Sequence, residues 1–577
     1  MGVRTILERL PAARPGSSEE ATRGSAALLR LIWGLALGAG VAGLGAYAFG
    51  AGIPALWLFS AATIALALVL PLPYALVSPL FMGLLGWLVD MVPLVALIGW
   101  ATVVARWAFG VLRARRLPRG GPWIWLPVAL LVWTALGVLV IPSEDIKHFV
   151  LLVGIQALVS GTLLLMVDRL GPLEDRVRVA SGLVGFVLVL SVAVLLQWIG
   201  LPIQDLQDDT VADRVETAYG VDAFDNNVGM IKYTRSRNAG VKQLRDKLAR
   251  LRSSGTELPP AAVFLPRFQA YKESIVVRFA GSARAHESDL RRLDIRLAYD
   301  SVGFAPANLI PRLRSFPRNA LTYAGVCAGV FPVAAFLAWT QTQRRRLLGR
   351  AGMAACLFGA AFSLARGAWA ALAVGIVILV VDGLVVRRAK IEAVAAFVVA
   401  ALVLTVVFLV RYDVDPFTAR AGAEGSVTTR QDLYSDTVES VNGLHIILGF
   451  GSERTRVATG GSRAFGNYGR YVPRAGTHST YLNYLFRTGV PGALAIVAIY
   501  LIAALHARAA ARERSGTERI FYTALTAAAV VVAAHGVVLS LYVEPFYTIV
   551  VTLLLGLAMA GTTGLRRSFL PWRRAET

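Results

Sequence analysis

Three side chains in this 577-residue chain have types and positions suited to chemistry: Arg366 in SLARGAW (363–369), Arg430 in SVTTRQDLY (426–434) and His478 in RAGTHSTYLNYLFRTGVPG (474–492). Fixed guanidiniums grip a diphosphate through paired, charge-assisted hydrogen bonds, while a nearby imidazole can take the proton of an attacking hydroxyl near neutral pH. Neither group requires a metal or a cofactor. Each residue also has a plain structural reading: Arg366 as an interfacial arginine reaching water, Arg430 as a solvated helix-end charge, His478 as an ordinary loop histidine. What raises them above those readings is a shared position at one face of a membrane, and that depends on the elements carrying them.

The chain is 56% apolar and only 16% charged, with mean hydropathy +0.60. Soluble domains run at roughly 45–50% apolar and about 25% charged, so a soluble enzyme is excluded. A helical crossing takes about 20 apolar residues. Such runs fall near 26–49, 52–72, 74–89, 91–112, 122–142, 145–167, 178–200, 319–340, 347–364, 366–387, 390–410, 481–506, 517–541 and 543–563. The pattern predicts an all-α polytopic membrane protein with about 14 (range about 12–14) transmembrane helices. The third run, bounded by Pro73 and Asp90, is short enough to be tilted or re-entrant. The first 25 residues are polar, and no cleavable leader is expected. The two cysteines, Cys327 and Cys356, sit in apolar runs and read as small hydrophobes.

Net charge is +22. Arg113, Arg115, Arg116 and Arg119 share one short connection; Arg344, Arg345, Arg346 and Arg350, then Arg387, Arg388 and Lys390, mark two more, and Arg566, Arg567, Arg573 and Arg574 the tail. With fourteen crossings all four groups fall on one side, cytoplasmic by the positive-inside rule, which carries about +17 of the charge. Such scattered arginines, without a recognition motif, do not make a nucleic-acid surface. The expected layout is a cytoplasmic tail (1–25), an N-terminal bundle (26–200), an extracytoplasmic folded insert (201–318) and helices at 319–410. An extracytoplasmic catalytic loop (411–480), C-terminal helices (481–563) and a cytoplasmic tail (564–577) follow. Arg366 then lies at the outer ends of two spans, against the positive-inside trend, which favours a dedicated anionic partner.

The insert carries a helix-like stripe of Leu244, Leu248 and Leu251 and a strand-like SIVVRFA (274–280), predicting a small α+β cap; IPRLRSFPRN (310–319) suits the membrane interface. In the second outer loop, Leu433, Val438 and Val441 suggest an amphipathic helix after Arg430. The whole 411–480 segment is rich in Gly, which suggests backbone able to approach a ligand closely, and ILGFGSER (447–454) reads as a Gly-rich turn within it. A diphosphate at the outer surface of a membrane is what a lipid-linked sugar offers.

At these residues the chain resembles the O-antigen ligase and O-antigen polymerase superfamily of bacterial polysaccharide enzymes. The resemblance rests on SLARG (363–367), TRQDLYSDTVESVNGLHIILGFG (429–451) and HSTYLNYLFRTGVPG (478–492), in that order, over about 320–500. FPRNALTYAG (316–325) is a looser match, and the insert has no counterpart. Ser479 departs from the family's usual Asn. The resemblance implies a metal-independent, inverting transfer of a glycan from undecaprenyl diphosphate to an acceptor hydroxyl on a glycan or glycolipid, at the outer face of the bacterial cytoplasmic membrane. It further implies that Arg366 and Arg430 bind the diphosphate and that His478 is the catalytic base, with Arg474, Tyr481 and Arg487 as possible substrate contacts.

Two other readings compete. A metal-dependent glycosyltransferase using a polyprenyl-phosphate sugar would want clustered carboxylates after the first span, where the short turn near Phe49–Ile53 has none. A lipid-linked glycan flippase or transporter would want mid-membrane charges. Arg30, Asp382 and Glu544 are the candidates, each near a helix end, and a transporter has little use for two long outer segments.

Overall fold

The structure is a computed structural model that describes residues 35–44, 46, 52–88, 92–141, 146–198, 320–363, 365–381, 434–435, 437–451, 479–539 and 545–561. Among the described residues there are helices and no strand. A helix stands at each predicted run except 390–410, which lies outside the described residues. Seven of these helices are long and apolar enough to cross a membrane. The predicted α+β cap (201–318) and the charges Arg30, Asp382 and Glu544 also lie outside the described residues.

The chain forms two compact units, residues 1–116 and 117–577. The first holds α1 (Leu35–Leu44), α2 (Gly52–Val69), α3 (Leu72–Leu88) and α4 (Val92–Arg113). The run predicted to be short is the helix α3, with Pro79 inside it. Ala55, Phe59 and Val95 form the buried centre where α2 meets α4. Arg106 of α4 donates to the carbonyls of Ala67 (3.1 Å) and Leu70 (2.9 Å), satisfying acceptors that the end of α2 leaves open.

The second unit holds α5 (Leu126–Leu136), α6 (Ile146–Arg169), α7 (Leu173–Trp198), α8 (Ala320–Thr340), α9 (Gln343–Phe362) and α10 (Arg366–Val381). It continues with α11 (Thr480–Glu513), α12 (Gly516–His535) and α13 (Pro545–Met559). Every residue from Leu321 to Ala338 is buried, so α8 is the central helix, with α7, α9, α10, α12 and α13 packed against it. Its sequence is apolar on all sides, as a helix without a solvent face requires. Cys327 is buried there and Cys356 is buried in α9. Close approach rests on small residues: a side chain on Gly349 of α9 would strike the α8 backbone at Leu337–Ala338.

One end of this unit gathers charge. Arg345 pairs with Glu174 (2.9 Å), the Arg119 N–H donates to Asp168 (3.0 Å), and Arg514 pairs with Glu518 (3.0 Å). Arg176 is buried and bonded to the Tyr522 hydroxyl, to the Gly171 carbonyl (3.1 Å) and to Glu518 (3.5 Å). From this end α9 runs its 20 residues, about 30 Å, to the turn that carries Arg366. Arg345→Gln is expected to lower stability by less than about 1 kcal/mol, because both partners are partly exposed and screened. Thermal unfolding of the detergent-solubilised protein checks this.

Candidate functional site

Arg366 is the first residue of α10, half-buried, directly after a tight turn. Ser363 ends α9, its N–H bonded to the Gly359 carbonyl (3.1 Å) and its hydroxyl to the Ala360 carbonyl (2.8 Å). The indole N–H of Trp369 reaches the same Ala360 carbonyl (2.7 Å) across the turn. The turn is thereby clamped on both sides, and it holds a guanidinium-bearing residue at a helix N-terminus, where backbone N–H groups and the helix dipole favour an anion.

The turn at the end of α12, residues 536–539, joins the three motif segments. Gly367 comes so close to Val538 that a Cβ there would lie 3.2 Å from the Val538 Cβ. Thr480 binds twice: its N–H donates to Gly536 O and its hydroxyl to Leu539 O, both at 2.7 Å. The Tyr434 hydroxyl donates to Val537 O (3.0 Å). Three segments spread over more than a hundred residues of sequence therefore meet on four consecutive residues. This hub falls inside the predicted 517–541 run, and its one signal in the sequence is a polar His followed by Gly, HGVVLS (535–540), within an apolar stretch.

Ser479 is buried and caps α11, its hydroxyl accepting from the Leu482 N–H (3.5 Å). Ser and Asn are both strong N-cap residues, so the departure from the family pattern keeps the cap. Tyr481 is half-buried and its hydroxyl donates to Ala533 O (2.6 Å) in the last turn of α12. Arg487 is 4% exposed, two helical turns further along α11 and away from the hub. Arg430, Arg474 and His478 lie outside the described residues.

The Gly-rich ILGFG segment departs from expectation. Gly489, followed by Pro491, breaks α11 and frees carbonyls that a continuous helix would use. The N–H groups of Phe450 and Gly451 donate to Phe486 O (2.8 Å) and Arg487 O (2.9 Å), and the Trp133 indole donates to Thr488 O (2.9 Å). These backbone donors serve the protein's own helix and are not presented to a ligand. Of the predicted apolar stripe, Val438 is 53% exposed and Val441 partly buried, with Thr437 buried beside Val438, and Leu433 lies outside the described residues.

These features define a multi-pass helical membrane protein whose chain folds back on one inter-helix turn. Residues 351–497, from α9 through the break in α11, match the family model described as O-antigen ligase, so this part of the chain carries the O-antigen ligase domain. No curated protein and no solved structure matches the chain. That domain supports a membrane glycosyltransferase-like function in polysaccharide biosynthesis.

Proposed function

We propose that the protein is a metal-independent inverting glycosyltransferase that moves a glycan from undecaprenyl diphosphate to an acceptor hydroxyl at the outer face of the bacterial cytoplasmic membrane. The observation that carries this reading is the convergence of the Arg366 turn, Tyr434 and the Ser479–Tyr481 segment on the turn at 536–539. His478 directly precedes that pinned segment in the sequence, and Arg430 stands four residues before Tyr434. His478 takes the proton of the acceptor hydroxyl as its oxygen attacks the anomeric carbon. The bond from that carbon to the diphosphate oxygen breaks with inversion, and Arg366 and Arg430 hold the charge that develops on the departing undecaprenyl diphosphate. Arg474, Tyr481 and Arg487 are possible substrate contacts. The Tyr481 hydroxyl already serves the α12 carbonyl, so the face of its ring is what it offers a sugar.

Reconstituted full-length protein, given an undecaprenyl-diphosphate glycan and an acceptor, is expected to form the transferred product at a rate that a strong chelator changes by less than about twofold. Activity lost to chelation and restored by a divalent cation would sink the metal-free mechanism and favour the metal-dependent class.

A further inference from the structure

We propose that His535 is a positioning residue, whose buried hydrogen bond to Tyr547 fixes the turn on which the three motif segments meet. The inference rests on the glycosyltransferase reading and adds to it a residue that no motif contains.

His535 ends α12 and is wholly buried, and its Nδ1 is hydrogen-bonded to the Tyr547 hydroxyl of α13 at 3.0 Å. Tyr547 is 1% exposed. The pair has room only because α8 offers a glycine beside it: a Cβ on Gly325 would run into the His535 ring and come within 2.9 Å of the Tyr547 ring. Three helices are thus fitted around this buried polar contact. A polar pair in such a place is costly unless each member satisfies the other, so its geometry is tightly determined.

The backbone of the same residue closes the turn. The His535 carbonyl accepts the N–H groups of Val538 (3.0 Å) and Leu539 (3.1 Å). The side chain therefore anchors the base of the turn to α13 while the carbonyl sets its curvature. Val538 at its tip meets Gly367, next to Arg366, and the carbonyls of Gly536, Val537 and Leu539 receive Thr480 and Tyr434. A shift of the turn would move the Arg366 turn relative to the start of α11. Misplacement of about 1 Å in a catalytic constellation costs about 10²-fold in rate.

The test uses the full-length protein in lipid nanodiscs, with two readouts. The first is kcat and donor KM with an undecaprenyl-diphosphate glycan. The second is the disulfide cross-link yield of the double variant Gly367→Cys/Val538→Cys, whose Cβ atoms, 3.2 Å apart on the present backbone, reach disulfide range with a relaxation of a few tenths of an ångström, and which reports the contact without any chemistry on substrate. His535→Leu is expected to lower kcat about 10–100-fold with donor KM changed by less than about threefold, and to lower the cross-link yield. His535→Gln, whose amide can still reach the Tyr547 hydroxyl, is expected to restore both. Tyr547→Phe, which removes only a hydroxyl, is expected to act in the same direction and serves if His535→Leu does not fold. Unchanged kcat in these variants overturns the proposal, as does a fall in kcat with the cross-link intact. If the wild-type protein makes no product from this donor, the glycosyltransferase reading fails on its own, and the cross-link readout still decides the role of His535.

Discussion

His478→Ala is expected to lower kcat for glycan transfer by about 10²–10⁴-fold, the usual cost of losing a positioned general base, in a protein that inserts and folds as the wild type does. Arg366→Ala is expected to cost about 10²–10³-fold, because its guanidinium is assigned to charge that grows on the diphosphate only as the glycosidic bond breaks. Arg366→Lys should recover part of that loss and no more, since an ammonium keeps the charge but not the planar fork that meets two oxygens at once. The position of Arg366 makes these outcomes specific. It is half-buried at the start of α10, in a turn clamped by Ser363 and Trp369, so the substitution removes a preorganised group and leaves the clamp in place. Because the two groups act in one step, Arg366→Ala/His478→Ala should be little worse than the poorer single variant. Steady-state rates with a lipid-linked glycan, alongside helical content by circular dichroism, check all of this. Transfer at the wild-type rate by both single variants would remove the assigned chemistry.

What the sequence made legible follows from period and charge. The apolar runs predicted helices because hydrocarbon thickness sets a length that few other patterns satisfy. The bounds differ where composition misleads: α9 begins at Gln343, three residues of arginine before its apolar part, because a helix can extend past the membrane into a charged end held by Glu174. Charge also predicted that the Arg344–Arg350 group lies apart from Arg366, and α9 does separate them along its length. Less legible was how the motif segments meet. Thr480, Tyr434 and Gly367 all converge on a turn whose own residues are Gly, two Val and Leu, which carry no chemical signature. The turn acts through carbonyls and shape, and carbonyls are the one group every residue has.

The glycines of the ILGFG segment show the same limit from the other side. The glycines of 411–480 as a whole suggested a surface open to ligand, yet within this segment Gly449 meets Gly489 across a contact of backbone on backbone. Gly449 has φ 66° and ψ −159°, and Gly489 has φ 69° and ψ −171°, a region that essentially only glycine occupies. A methyl group at Gly489 would strike the carbonyls of Ile446 and Ile447, and one at Gly449 would strike the backbone of Arg487 and Thr488. Neither neighbour is the flexible end of a side chain, so neither can give way cheaply. The substitution Gly489→Ala is therefore expected to destabilise the protein by about 3–5 kcal/mol, adding the strain of a forbidden conformation to the loss of the docked segment. With the segment displaced, the carbonyls of Phe486 and Arg487 lose the N–H groups of Phe450 and Gly451. Gly449→Ala should cost about as much, and the double variant less than the sum, because both break one contact. Gly443 supplies the control: its φ is also positive, at 53°, but nothing lies within 4 Å of the added methyl, so Gly443→Ala should cost only about 1 kcal/mol. Denaturation of the detergent-solubilised variants measures the difference, and a Gly489→Ala protein as stable as Gly443→Ala would show that the break in α11 does not depend on this packing.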